Sequence, residues 1–301
     1  MIINWYPGHM DKALRMMQDE LDLIDIAVYV LDSRAPFSCV NPCFEDLLKK
    51  KPIIFVLNKA DLVDENSLKK WQKYFTGENK YCITLNSTES NSSKKLLDAV
   101  KNLKVKKLER NEKRGITIPL RMMILGVPNC GKSTLINNLC GKGKTITGDR
   151  AGVTRGKQWV IGAPNLEVLD TPGTLWPNLD NTAVAHNLAY IGSIKEEVLD
   201  VSSLALDFLI DLAIKDKTII EKRYGIKIDD SAVADLLNIE DNDKAKIYDN
   251  EDLKMWCLDI YEQICQKRGF MLKNHEYDYE RCARAILDDF KKGRLGKIIL
   301  D

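Results

Sequence analysis

Glycine, lysine and serine are grouped in the run Gly-Val-Pro-Asn-Cys-Gly-Lys-Ser at 126–133, which follows the apolar stretch Arg121 to Leu125 and opens a helix-forming stretch, Ser133 to Leu139. A glycine-rich turn between a strand and a helix is an arrangement that holds phosphate groups. Amides in the first helical turn lack intrahelical acceptors and carry a partial positive charge, so they can cradle an anion. The segment Asn129, Cys130, Gly131, Lys132, Ser133 and Thr134 is the expected cradle. Lys132 would bridge the β- and γ-phosphates of a nucleoside triphosphate, and the Ser133 hydroxyl would bind Mg2+.

Two further groups complete a phosphate-sensing set. Asp170-Thr-Pro-Gly173 ends the apolar run Leu166 to Leu169, which lets the Asp170 carboxylate reach a magnesium shell and the Gly173 amide approach a γ-phosphate. Thr154, in Gly-Val-Thr-Arg between these two motifs, is the expected switch threonine that ligates Mg2+. The base is read elsewhere. Asn58-Lys59-Ala60-Asp61 ends the run Ile53 to Leu57, and Asp61 can accept from both the ring N–H and the exocyclic amine of guanine, a pair of donors adenine lacks. Asn86 and Ser87, after the run Tyr81 to Leu85, fit a companion loop that supports the guanine ring. These residues predict GTP and GDP as ligands and disfavour ATP-dependent chemistry.

Positioning them requires a sheet. Runs at Ile24 to Leu31, Ile53 to Leu57, Tyr81 to Leu85, Arg121 to Leu125, Trp159 to Ile161 and Leu166 to Leu169 alternate with helix-forming stretches, and several are continuously apolar. That pattern predicts an α/β domain with a mostly parallel sheet covered by helices on both faces. Helical periodicity dominates from there on, at Ser203 to Ile214, Ser231 to Leu237, Asp249 to Lys267 and Tyr279 to Lys292. The expected division is a nucleotide-binding domain over 1–178 and an all-α domain over 179–301.

The motif order is unusual, because the base-reading segment and its companion loop precede the phosphate loop. Cutting a parallel sheet at one loop and rejoining its old ends keeps every strand neighbour, so a circularly permuted chain can build the same pocket. This order, together with Trp-Tyr-Pro-Gly-His-Met at 5–10, Gly-Asp-Arg-Ala-Gly-Val-Thr at 148–154 and Asp-Thr-Pro-Gly-Thr-Leu-Trp-Pro at 170–177, resembles the ribosome biogenesis GTPase A family of bacteria and organelles over essentially the whole chain. The resemblance implies a P-loop GTPase assisting late maturation of the large (50S) ribosomal subunit. It would bind ribosomal RNA and proteins of the precursor with GTP and leave on hydrolysis, stimulated by the subunit. It also assigns His9 the role of orienting the attacking water, since Thr174 stands where many GTPases carry a catalytic glutamine. Asn129 resembles the asparagine with which several GTPases hold K+ between the phosphates. His186 and His275 are read as ordinary structural residues. A rival reading is a nucleotide-gated RNA-binding module whose hydrolysis is incidental; His9→Ala discriminates the two.

Composition sets the remaining bounds. The 301 residues are 45% hydrophobic and 30% charged, with no apolar run approaching a membrane span, which predicts a cytoplasmic protein, monomeric when free. Eight cysteines without a Cys-x-x-Cys pair read as reduced, packed thiols. The formal charge of +1 conceals an asymmetry: residues 1–177 carry 27 Lys and Arg against 19 Asp and Glu, and residues 178–301 carry 18 against 25. Polyanion binding is thus favoured for the first part. A basic stretch spans Lys101 to Arg114, and Lys267, Arg268, Lys273, Arg281, Arg284, Lys291, Lys292, Arg294 and Lys297 are the RNA-facing candidates of the second.

Overall fold

The computed structural model describes residues 8–103, 107, 113, 115, 118–140, 158–162, 165–177, 179–231, 233, 244–273 and 275–301, excepting the His9 side chain. Two compact units emerge. One holds the described residues up to 177 with Gly192–Ile194 and Lys297–Asp301, and the other holds Leu179–Ile191 and Lys195–Gly296.

The first unit is built on six strands: β1 (Ile26–Asp32), β2 (Ile53–Asn58), β3 (Lys80–Thr84), β4 (Leu120–Leu125), β5 (Gln158–Ile161) and β6 (Leu166–Asp170). Their spatial order is β3-β2-β1-β4-β6-β5. All pairs are parallel except β5 with β6. Every residue of β1 and β2 is buried, as central parallel strands with helices on both faces require. The edge strand β5 instead exposes Gln158 and Ile161. Helix α1 (Gly8–Glu20) buries Met10, Ala13 and Met17, a spacing that puts one stripe inward. Helices α2 (Cys43–Leu48), α3 (Glu65–Phe75), α4 (Ser92–Asn102) and α5 (Lys132–Cys140) complete the described layers. The Asp64 side chain starts α3 by accepting from the Ser67 amide at 2.9 Å.

The chain runs outward from β1 through β2 to β3, then returns to place β4 on the other flank of β1 before reaching β6. The carboxyl ends of β1 and β4 therefore straddle the reversal point of the sheet, where open α/β sheets bind ligands.

The second unit is helical: α6 (Thr182–Tyr190), α7 (Val201–Asp216), α8 (Thr218–Tyr224), α9 (Lys244–Asp249), α10 (Glu251–Arg268) and α11 (Tyr279–Lys291). Helix α7 is its axis, burying Leu204, Ala205, Phe208, Leu209, Ile210 and Leu212 against α10 and α11. Asp200 caps it by accepting from the Ser202 and Ser203 amides. The helix expected from Asp249 to Lys267 is present as α10, which the Asn250 side chain starts by accepting from Leu253 N–H. Most of the helix expected at Ser231 to Leu237 lies outside the described residues, and Ser231 and Val233 themselves sit in turns.

Candidate functional site

The phosphate loop leaves β4 at Gly126, whose φ of +146° and neighbours exclude a side chain: a Cβ there would lie 2.3 Å from the Val30 carbonyl oxygen. Asn129 adopts a left-handed φ of 59°, and Gly131 follows at +100°. A Cβ on Gly131 would meet Asn58 Nδ2 at 2.1 Å and Ser87 Oγ at 3.2 Å. Lys132 opens α5 and is 6% exposed, its ammonium donating to the carbonyls of Gly126 (3.0 Å) and Val127 (2.7 Å). Ser133 and Thr134 occupy the first turn, half-buried. Burial pushes the Cys130 thiol above its ordinary pKa, although the Lys132 charge opposes the shift, so Cys130 is a neutral packed residue of the loop.

The segment after β2 is tied to this loop across 70 residues of chain. Asn58 Nδ2 donates to the Cys130 carbonyl at 2.7 Å, and Asn58 Oδ1 accepts from the Ser87 amide at 2.9 Å. Lys59 donates to the Asn129 carbonyl at 3.0 Å. Lys59 holds a left-handed φ of 57°, a conformation that costs a non-glycine residue about 1–3 kcal/mol and that recurs where a side chain must be aimed. Asp61 lies exposed on the 3-10 turn Ala60–Leu62. Asn86 holds its own loop by accepting from the amide and hydroxyl of Thr88. Below it, Asn138 of α5 donates to the Ser87 carbonyl.

Asp170 ends β6 beside Ile124 of β4 and is 1% exposed. Gly173 crosses the phosphate loop so closely that a Cβ would sit 2.7 Å from Pro128 and 2.9 Å from Lys132 Nζ. Thr174 is fully buried, so it offers no hydroxyl to solvent water. Thr154 and the side chain of His9 lie outside the described residues. The backbone of His9 belongs to α1, and the next residue, Met10, accepts from the Leu175 amide through its sulfur at 3.4 Å. The start of α1 thus lies against the chain that follows Gly173.

The segments that follow β2, β3, β4 and β6 thus meet at the carboxyl ends of the strands, around the loop 126–134. Residues 121–250 match the 50S ribosome-binding GTPase family. Over 299 residues the chain is 34% identical to the ribosome biogenesis GTPase A of Bacillus licheniformis, covering 99% of this chain and 97% of the relative. It belongs to the ribosome biogenesis GTPase A family. The Thermotoga maritima relative of that name is 30% identical, over 98% of this chain and 93% of its own. The crystal structure of GNP-bound YlqF from T. maritima superposes with a TM-score of 0.61 at 27% identity, covering 96% of this chain and 97% of the other, and its GDP-bound counterpart gives the same score. As a ribosome biogenesis GTPase A family member, the chain is a GTP-hydrolysing enzyme with a circularly permuted P-loop domain and a helical domain.

Four residues of this family member escaped the motif reading. Asp32, the last residue of β1 and the register partner of Asn58, is fully buried. Its carboxylate takes a two-point contact from the Arg34 guanidinium (2.9 and 2.7 Å) and a third from Lys59 at 2.8 Å. Burial alone would raise the Asp32 pKa, but the Arg34 and Lys59 charges prevail and hold it well below the usual carboxylate range. The available signal was an Asp and an Arg two apart at the end of a wholly apolar strand. Gly192 and Ser193 also reach the loop, Gly192 accepting from Asn129 Nδ2 at 2.6 Å and Ser193 donating to the Pro128 carbonyl at 2.8 Å.

In the helical unit the candidate RNA-facing cations are largely engaged. Arg284 and Lys291 pair with Glu196, Lys292 with Asp288, and Arg294 with Asp288 and Asp289. Arg268 stacks over Tyr224 and Arg281 over Phe270. These local partners reduce the field the cluster presents. Of the basic stretch 101–114, Lys107 pairs with Asp25 at 2.7 Å. His186 is buried with Nε2 3.0 Å from Asp207 and Nδ1 2.8 Å from the Thr182 carbonyl, a structural role within α6 and α7.

Proposed function

We propose that this GTPase assists late maturation of the large ribosomal subunit, docking on the precursor particle with GTP bound and leaving on hydrolysis. The observation that carries the nucleotide part is the double clamp from Asn58 and Lys59 to the phosphate loop at 2.7 and 3.0 Å, which brings the base-reading turn to the phosphate cradle. Support for the partner is the match to a 50S ribosome-binding GTPase family and the names of the relatives, among them a mitochondrial ribosome-associated GTPase 1 of Bos taurus, 30% identical over the whole of this chain.

In this reading Asp61 accepts from the guanine edge, with Asn58, Lys59, Asn86 and Ser87 holding the base site. Asn129 to Thr134 cradle the phosphates, and Lys132 exchanges its present carbonyl acceptors for phosphate oxygens. Residues that suit Mg2+ are present: Asp170 is a buried carboxylate at a strand end beside the loop, and Gly173 passes the loop at a distance that admits no Cβ. Ser133, Thr154 and Asp170 would hold the ion, which supplies positive charge to the phosphate oxygens. Asn129 would hold K+. The contact of Met10 with Leu175 supports His9 as the group that orients the attacking water beside Gly173. No helix among the described residues is long and apolar enough to cross a membrane. The reading places the protein in the cytoplasm, monomeric when free.

The test measures GTP hydrolysis with and without purified large ribosomal subunits, and association with subunit precursors in a non-hydrolysable GTP analogue. Stimulated turnover and nucleotide-dependent association are expected. Absence of association refutes the partner.

A further inference from the structure

After α11 the chain turns through Gly293 at φ 69° and Gly296 at φ 94° and delivers the segment 297–301 to the nucleotide-binding unit. Ile298 is buried there. The Leu300 amide donates to the Arg34 carbonyl at 2.7 Å. The Asp301 carboxylate takes both donors of Ser38, the amide at 3.0 Å and the hydroxyl at 2.6 Å. These contacts all fall on the loop following β1, and that loop carries Arg34. Arg34 grips Asp32, Asp32 grips Lys59, and Lys59 donates to the Asn129 carbonyl in the phosphate loop. A continuous line of hydrogen bonds and ion pairs therefore runs from residue 301 to the nucleotide site.

We propose that Asp301 is a positioning residue for nucleotide binding: with Leu300 it straps the Arg34 loop in place and, through Arg34 and Asp32, fixes the Lys59 side chain. Lys59 has a flexible four-carbon stem and a strained backbone, so its ammonium stays over the Asn129 carbonyl only while the Asp32 carboxylate is itself held. Asp32 and Arg34 can serve as that anchor because both are buried and two-point bonded, leaving the outer end of the line, buried Ser38 with exposed Asp301, as its adjustable part. The strap is continuous in the chain with the helical unit, so a partner that draws on that unit has a covalent route to the guanine site.

The test is the full-length Asp301→Ala variant, assayed by GDP titration and by the release rate of a fluorescent GDP. GDP affinity is expected to fall about three- to tenfold, as loss of a charge-assisted pair of bonds allows, through faster release. Ser38→Ala, which removes one of the two donors, should give a smaller shift of the same sign. A merely structural strap would lower the melting temperature without this pattern, so the deciding measurement is a double-mutant cycle with Lys59→Ala. In the Lys59→Ala background, Asp301→Ala should leave GDP affinity unchanged within about twofold, since the line is already broken at its far end. Unaltered GDP affinity in Asp301→Ala, or an equal loss in the Lys59→Ala background, overturns the proposal.

Discussion

Replacing Asp32 with alanine tests the buried centre of the nucleotide-binding unit. The carboxylate is fully buried, and Arg34, 1% exposed, meets it with two bonds at 2.9 and 2.7 Å. Removing it leaves a guanidinium enclosed with its principal counter-charge gone, and breaking one side of a buried pair costs about 3–5 kcal/mol. The loss is a large fraction of the roughly 5–15 kcal/mol that stabilises a typical domain. At about 2–4 °C per kcal/mol for a unit of this size, the melting temperature should fall by roughly 6–20 °C. Asp32→Asn, which keeps the shape and one acceptor, should lose less. The pH dependence has a definite sign. Because the folded-state pKa of Asp32 is depressed, its contribution is fully present above the unfolded value of about 3.9 and is lost as pH falls through the folded value. The gap between wild type and Asp32→Ala should therefore be constant from about pH 5 to 8 and narrow only in acid. Thermal scans and urea titrations across that range measure it. A fall below about 3 °C at pH 7, or a gap that widens on acidification, would show that Arg34 finds another counter-charge and that the pair is not the anchor inferred here.

Four further outcomes are expected. Gly131→Ala forces a side chain into a left-handed backbone and against Asn58 Nδ2, so nucleotide affinity should drop by at least about thirtyfold, equivalent to roughly 2 kcal/mol; calorimetry with GDP reads it. Asp61→Asn replaces an acceptor by a group that can donate, so preference should move from GTP towards xanthosine triphosphate, and an unchanged preference would remove Asp61 from the base site. His9→Ala should slow hydrolysis by about a hundredfold while GDP binding stays intact, as loss of a water-orienting group predicts. With Asn129 holding K+, turnover should be about tenfold or more faster in K+ than in Na+ at equal ionic strength, and equal rates exclude the ion.

The sequence by itself determined the elements and the chemistry of the individual motifs. Largely apolar runs marked all six described strands to within two residues, most clearly in β1 and β2, because parallel strands covered on both faces tolerate few polar residues along their length. The phosphate loop was legible because its strand, turn and helix are contiguous, and the expectation of a guanine preference rests on the single carboxylate of Asp61. The short α9 before Asn250 was less visible, since six residues show little periodicity and a cap depends on one local hydrogen bond. Tertiary structure alone decided what touches what over long separations. That Asp32 would face Lys59 follows from β1 pairing with β2 in a particular register, which no local pattern records. The same holds for Asn58 bridging Cys130 and Ser87, and for Asp301 closing on Ser38 across 263 positions. Local propensities act over a few residues, whereas these bonds exist only once the sheet has assembled and excluded water around them.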